Sequence, residues 1–197
     1  MKINNSNLKF TKILRAQCAV LKGEKPIKCS IYELEPNKDK DYFVRLQYDK
    51  NWDNNKFLDD FDNAINSQQY CSEKVYVIEE NETQKCLGAC STYLSDRHDS
   101  ICIDYIESLP KRKELRYGYI GQSMISFLTK VAKNKNKSSI RIGSAIPAAW
   151  KFYYDRCGFN PVGRYNKKYS AELPNYKFDS INDKTKKYTG HRMSLFI

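Results

Sequence analysis

Between Ile101 and Phe159 the hydrophobic period switches repeatedly between strand-like and helix-like, and few folds accommodate that order. ICIDYIESLP is β-rich, a basic loop KRKELR follows, and RYGYIG leads into the helical run IGQSMISFLTKVAK. SIRIGSA then reads as a short strand and PAAWKFYYDRC as a second helix, closed by Gly158-Phe159. Strand, turn, helix, strand, helix is an α/β unit built on one sheet. In the first helix Ile120, Met124, Phe127, Leu128 and Val131 fall at i, i+4, i+7, i+8 and i+11, a single apolar stripe for the core. Pro147 suits the opening turn of the second helix, on which Trp150, Tyr153, Tyr154 and Cys157 are expected to share a face. Gly158 suits its C-cap.

The junction at Gly121 carries chemistry as well as structure. Where a loop becomes a helix, the first backbone N–H groups lack intrahelical partners and the dipole favours negative charge, so an anion binds well there. Gly118 and Gly121 permit a close approach that a side chain would block. Arg116 can add a charge-assisted contact. Farther on, Tyr154 precedes Gly158 by four residues and places a phenol on the last turns of the second helix.

These two motifs, Arg116-x-x-Tyr119-x-Gly121 and Tyr154-Asp155-Arg156-Cys157-Gly158-Phe159, in this order, resemble those of the Gcn5-related N-acetyltransferases. That family carries Arg/Gln-x-x-Gly-x-Gly/Ala after its fourth strand and a helix ending in Tyr-x-x-x-Gly-Phe. The likeness spans roughly residues 75–163, within one domain covering 1–197 that has residues 1–28 as an N-terminal extension. Tyr119 departs from the pattern, standing where the family usually has glycine. The resemblance implies an α/β fold with a mixed, mostly antiparallel central sheet of about six to seven strands flanked by helices. It implies acetyl-CoA as cofactor, with Arg116, Tyr117, Gly118, Tyr119, Ile120, Gly121 and Gln122 at the pyrophosphate. The backbone at Glu107, Ser108 and Leu109 would hold the acetyl carbonyl and the pantetheine arm, on a strand that splays from its neighbour.

Direct acetyl transfer to an amine needs a base for the attacking ammonium and an acid for the leaving thiolate. The resemblance places Tyr154 as the acid, with Tyr153 in its stead if the helix register slips by one. For the base, Glu107 and Asp104 lie on the strand that the resemblance implies faces substrate, on opposite sides if alternation is regular. Glu107 is the choice, while a water chain or no dedicated base stays open.

Elsewhere the reading is coarser. CSIYELEP is the first expected strand, with KFTKILRAQCAVL before it as a short helix. Phe57, Phe61, Ala64 and Ile65 line one face of a helix between Asn51 and Gln69. KVYVIEE and CLGACSTYL are two strands joined by the polar turn NETQ. From Pro161 the Tyr- and Lys-rich tail is expected to supply the last two strands, with a polar stretch FDSINDKTKK and a strand signal in HRMSLFI.

Composition removes some function classes. No apolar run approaches the ~18 residues of a membrane span, and the N-terminus lacks the apolar core of a signal peptide, so a cytoplasmic address is expected. Seven cysteines form no framework, and Cys86-x-x-x-Cys90 has no histidine beside it, so no metal site is expected and the thiols read as small buried hydrophobes. The net charge of +11 calls for an anionic partner or only a basic surface. Lys111-Arg112-Lys113 and Lys130, Lys133, Lys135, Lys137 and Arg141 are expected beside the cofactor, where they would serve CoA phosphates or an anionic substrate such as tRNA. Tyr165, Tyr169, Tyr176 and Tyr188 interleave with charge as base-stacking residues do, and as ordinary strand residues do. The acceptor stays open among a small-molecule amine, a protein amine and an aminoacyl-tRNA, on a monomer or homodimer. A competing class is a catalytically impaired binding module of the same fold, or a basic nucleic-acid-binding protein; Tyr119 is the feature that favours it.

Overall fold

The computed structural model describes residues 12–35, 39, 42, 74–108, 117–165 and 168–196. Its sheet starts with a hairpin, β1 (Ile13–Lys22) and β2 (Lys25–Leu34), turned by Gly23-Glu24 with Gly23 at φ +62. The short helix expected over KFTKILRAQCAVL is therefore a strand where it is described. Lys-Gly-Glu-Lys between two apolar runs is a hairpin signal, and pairing with CSIYEL outweighs weak helical propensity. Residues 13–28, read as an extension, belong to the sheet.

The meander continues through β3 (Lys74–Glu80), β4 (Cys86–Ser95) and β5 (Ser100–Ser108), each antiparallel to the last. A two-residue strand β6 (Tyr117–Gly118) pairs back to the end of β1 and leads into helix α1 (Ile120–Asn134). After α1, β7 (Ser139–Ala145) lies parallel to β5. Helix α2 (Pro147–Lys151) runs on as a π-helical turn, Phe152–Arg156. Next come β8 (Asn160–Tyr165) and β9 (Lys168–Pro174), a hairpin whose second strand sits beside β7. The polar stretch of the tail forms α3 (Phe178–Thr189), followed by β10 (Ser194–Leu195) against β1.

The order β10-β1-β2-β3-β4-β5-β7-β9-β8, with β6 on the edge of β1, makes ten strands among the described residues. That exceeds the expected number because β1 was expected as helix, β6 as part of a turn, and the tail supplies three strands, β8, β9 and β10, where two were expected. The main core lies between one sheet face and the helices: Met124, Phe127 and Leu128 of α1, Tyr153 and Phe159 around α2, and Phe178 and Ile181 of α3 are buried there. On the opposite face Leu34, Val75, Val77 and Ala89 pack with Tyr42. The helix expected over 51–69 lies outside the described residues.

Candidate functional site

The sheet is mostly antiparallel, but β5 and β7 run parallel and do not stay together. Their ladder holds from Ser100–Ser139 to Ile103–Ile142 and stops, while β5 continues to Ser108 beside β4 and β7 continues to Ala145. Asp104 is the extra residue where the ladder ends: Ile103 faces Thr92 and Tyr105 faces Ser91, so two steps on β5 match one on β4. A bulge bends and twists its strand, and this one lies where β5 and β7 part. A wedge results, walled by the β7-facing edge of residues 104–108, with Asp104 and Ser108 exposed. The bulge also breaks the regular alternation from which Asp104 and Glu107 were assigned to opposite faces.

Glu107 is half-buried and oriented: the Tyr105 hydroxyl donates to its Oε2 at 2.7 Å. Tyr105 packs with the Leu34–Tyr42 cluster, so Tyr105 and Glu107 lie on the sheet face opposite α1. Leu109 and Arg116 lie outside the described residues, as do Lys111, Arg112 and Lys113.

At the mouth of the wedge stands the start of α1. Tyr119, the N-cap, has φ +67, the left-handed region that glycine enters freely and a tyrosine enters at a cost of about 1–2 kcal/mol. No side chain caps the helix and its first turn holds no acid, so its leading amides have no partner from a capping residue. The first bond within the helix is Ser123 N–H to the Tyr119 carbonyl at 2.9 Å.

Several contacts fix this turn from the sheet side. Gly118 and Tyr117 pair with Leu21 and Lys22 of β1. The Tyr117 hydroxyl donates to Glu80 Oε2 at 3.3 Å, and the Lys22 ammonium lies 5.4 Å above the Tyr117 ring. Ser123 Oγ donates to the Ala19 carbonyl at 3.2 Å. Gly88 of β4 makes room beneath: a Cβ there would stand 2.7 Å from Ile120 Cγ2 and 3.1 Å from the Glu107 carbonyl. That position was not singled out from the sequence, and an isolated glycine inside a strand is the signal that marks it.

Gly121 has a different role from the expected one. A Cβ on it would come within 2.7 Å of the Phe152 ring, so the space glycine leaves is filled by Phe152. This contact sets the π-turn against the first turn of α1. At Gly118 the nearest neighbour to such a Cβ is Leu21, at an ordinary 3.7 Å.

The π-turn also decides which tyrosine is accessible. Cys157 N–H reaches back five residues to the Phe152 carbonyl, and Gly158, at φ +76, and Phe159 cap the end through the Tyr154 and Tyr153 carbonyls. The face expected to hold Trp150, Tyr153, Tyr154 and Cys157 together splits in two. Tyr153 and Cys157 turn inward, Tyr153 edge-on to Phe152 and Phe159, and burial, with Cys90 and Cys157 nearby, pushes the Tyr153 phenol pKa well up. Tyr154 is 45% exposed and stacks on Trp150 at 5.6 Å between centroids.

The basic residues of α1 are not at this turn. Lys133 is twelve residues beyond Gly121, about 18 Å along the axis, and pairs with Asp179, while Lys137 pairs with Asp99. Among the described residues no cluster of histidine, cysteine and acids has metal-ligand geometry, and no helix is long and apolar enough to cross a membrane.

Comparison with protein-family models finds no match, and comparison with curated proteins finds none. Solved structures do match. An acetyltransferase of the GNAT family from Staphylococcus aureus Mu50 aligns over 75% of this chain and 99% of its own, at 13% identity and a TM-score of 0.51. One assigned to the GNAT family from Desulfovibrio desulfuricans aligns over 75% and 99%, at 12% identity and a TM-score of 0.55. The spermidine/spermine N-acetyltransferase SpeG of Vibrio cholerae aligns over 77% and 96%, at 15% identity and a TM-score of 0.51. The fold is that of the Gcn5-related N-acetyltransferases, the one the two motifs resembled.

Proposed function

We propose that this chain, folded as a Gcn5-related N-acetyltransferase, transfers an acetyl group from acetyl-CoA directly to a primary amine. The observation that carries this reading is the wedge between β5 and β7, with the uncapped start of α1 at its mouth. A pantetheine arm presents amides along an extended chain, and the stretch of β5 past Ile103, where the ladder to β7 has ended, is suited to bind it as an added strand. The leading amides of α1 suit the pyrophosphate. Bound there, the cofactor supplies an acyl thioester.

Tyr117, Gly118, Tyr119, Ile120, Gly121 and Gln122 form the anion-binding turn, and Ser108 ends the strand edge that leads to it. Tyr154, exposed on a π-turn seated against that turn by Phe152, donates its phenolic proton to the departing sulfur. Glu107, held by the Tyr105 hydroxyl, takes a proton from the attacking ammonium, directly or through water. One C–S bond breaks and one C–N bond forms; of the two protons the ammonium gives up, one leaves through Glu107 to solvent before attack and the other, lost after attack, replaces the proton Tyr154 gives to sulfur. The acceptor is an amine that reaches the wedge from the Glu107 face.

Calorimetry with acetyl-CoA, followed by mass spectrometry of extract components acetylated by the protein, tests the reading. Tyr154→Phe is expected to lower turnover at least about tenfold with acetyl-CoA affinity retained. Unchanged turnover removes Tyr154 from the mechanism; no binding of acetyl-CoA by the wild-type protein removes the reading.

A further inference from the structure

Tyr119 poses a problem that the sheet-side contacts do not solve. Its backbone sits in the left-handed region, and a tyrosine in an open turn would relax toward commoner dihedrals. The β6–β1 pairing ends at Gly118, one residue short of it, and the Ser123 amide fixes only its carbonyl. Among the described residues a further contact is made by its side chain. The Tyr119 ring lies on the ring of Tyr188, with centroids 4.8 Å apart and planes 20° from parallel.

Tyr188 belongs to the last turn of α3, a helix that packs along α1. It is itself 53% exposed, so burial does not explain its position. The turn below it is held independently: Ile181, Thr185 and Thr189 are buried, and the threonine hydroxyls donate to the Ile181 and Thr185 carbonyls at 2.8 and 2.9 Å. Gly190, at φ +70, stops the helix just past the stack. A rigid, separately anchored ring therefore faces the strained residue.

We propose that Tyr188 is a positioning residue: by stacking on Tyr119 it holds the turn before α1 in the left-handed conformation that points the leading amides outward. A glycine at 119 would adopt that conformation unaided, and the C-terminal helix supplies from outside what the tyrosine lacks. The inference concerns the shape of the turn; its consequence for acetyl-CoA affinity rests on the function proposed above. The stack involves neither the wedge nor Tyr154, so Tyr188 affects cofactor binding and not the chemical step.

Two readouts separate the stack from that function. Exchange of the Ser123 amide, whose bond closes onto Tyr119, reports the turn with no ligand added, and calorimetry reports acetyl-CoA affinity. Tyr188→Ala is expected to speed Ser123 exchange and to weaken acetyl-CoA binding about three- to tenfold, the range of an aromatic pair. The KM for acetyl-CoA should rise by the same factor at constant kcat. Tyr188→Phe keeps the ring and should restore wild-type behaviour. With Tyr119→Gly in place, Tyr188→Ala should have little further effect on either readout. The proposal is overturned if Tyr188→Ala leaves Ser123 exchange unchanged, if Tyr188→Phe is as damaging as Tyr188→Ala, or if Tyr119→Gly does not suppress the effect. Should the wild-type protein bind no acetyl-CoA, the cofactor reading fails alone, and Ser123 exchange across the same variants still decides the stack.

Discussion

At Glu80 three donors meet one buried carboxylate. Thr83 Oγ1 donates at 2.6 Å, the Tyr117 hydroxyl at 3.3 Å and the Lys22 ammonium at 3.5 Å. Burial by itself would raise the carboxyl pKa; the Thr83 and Lys22 contacts, with Tyr117, outweigh it and hold the group below the ordinary glutamate value. A depressed folded value stabilises the protein above the unfolded pKa, about 4.3, and the contribution is lost as pH falls through the folded value. Glu80→Gln is therefore expected to flatten the dependence of the melting temperature on pH between about 5 and about 3. Equal slopes for variant and wild type would show that Glu80 carries no such linkage. None of these partners was readable in advance, because each comes from a different strand or turn. Tyr119 is the converse case. Its departure from glycine was plain in the sequence, but that it keeps the left-handed conformation, and how, needed α3 in place.

Elements that announce themselves by period were legible; those that bury few strong hydrophobes were not. The stripe of α1 was read correctly at Ile120, Met124, Phe127 and Leu128, all buried, because a helix on a sheet needs that spacing. The same test failed on α3, whose buried face is Phe178, Ile181, Thr185 and Thr189. Two of the four are threonines that satisfy their hydroxyls within the helix, so the stripe is present but polar in composition. For β1, pairing with β2 decided the conformation, and the neighbour's edge is not visible in the segment itself. At Gly88 the two levels meet, since α1 sits on β4 through the missing side chain. Gly88→Ala pushes a methyl to 2.7 Å from Ile120 and 3.1 Å from the Glu107 carbonyl, and one of those neighbours is backbone. The expected cost is about 1–3 kcal/mol, read as a lower denaturation midpoint with an unchanged m-value. A neutral result would mean that α1 rides higher above the sheet.

At the scale of the whole molecule, the cysteines among the described residues sit in the core. Cys18, Cys29, Cys86, Cys90, Cys102 and Cys157 are all buried free thiols. Burial pushes Cys29, Cys86 and Cys157 each up to about 12, so the reactive thiolate is scarce at neutral pH. In the native protein an aromatic disulfide reagent at about pH 8 should leave these six thiols unmodified, and should react with all seven cysteines after denaturation. Prompt modification of two or more native thiols would mean that the sheet opens on that timescale.

Order along the chain determined the class of fold: a meander, then strand, helix, strand, helix, each written in local period and punctuation, which short-range sterics and burial enforce. The same local signals located the helix start at Ile120 and the glycine cap at Gly158. What only the tertiary structure decided is relational. The bulge at Asp104 and the place where β5 leaves β7 depend on three strands at once. The choice of Tyr154 over Tyr153 as the accessible phenol depends on a π-turn seated on Gly121 by Phe152. The hold on Tyr119 depends on a helix some seventy residues downstream. Such contacts join residues distant in sequence, and their geometry comes from packing, which no local period encodes.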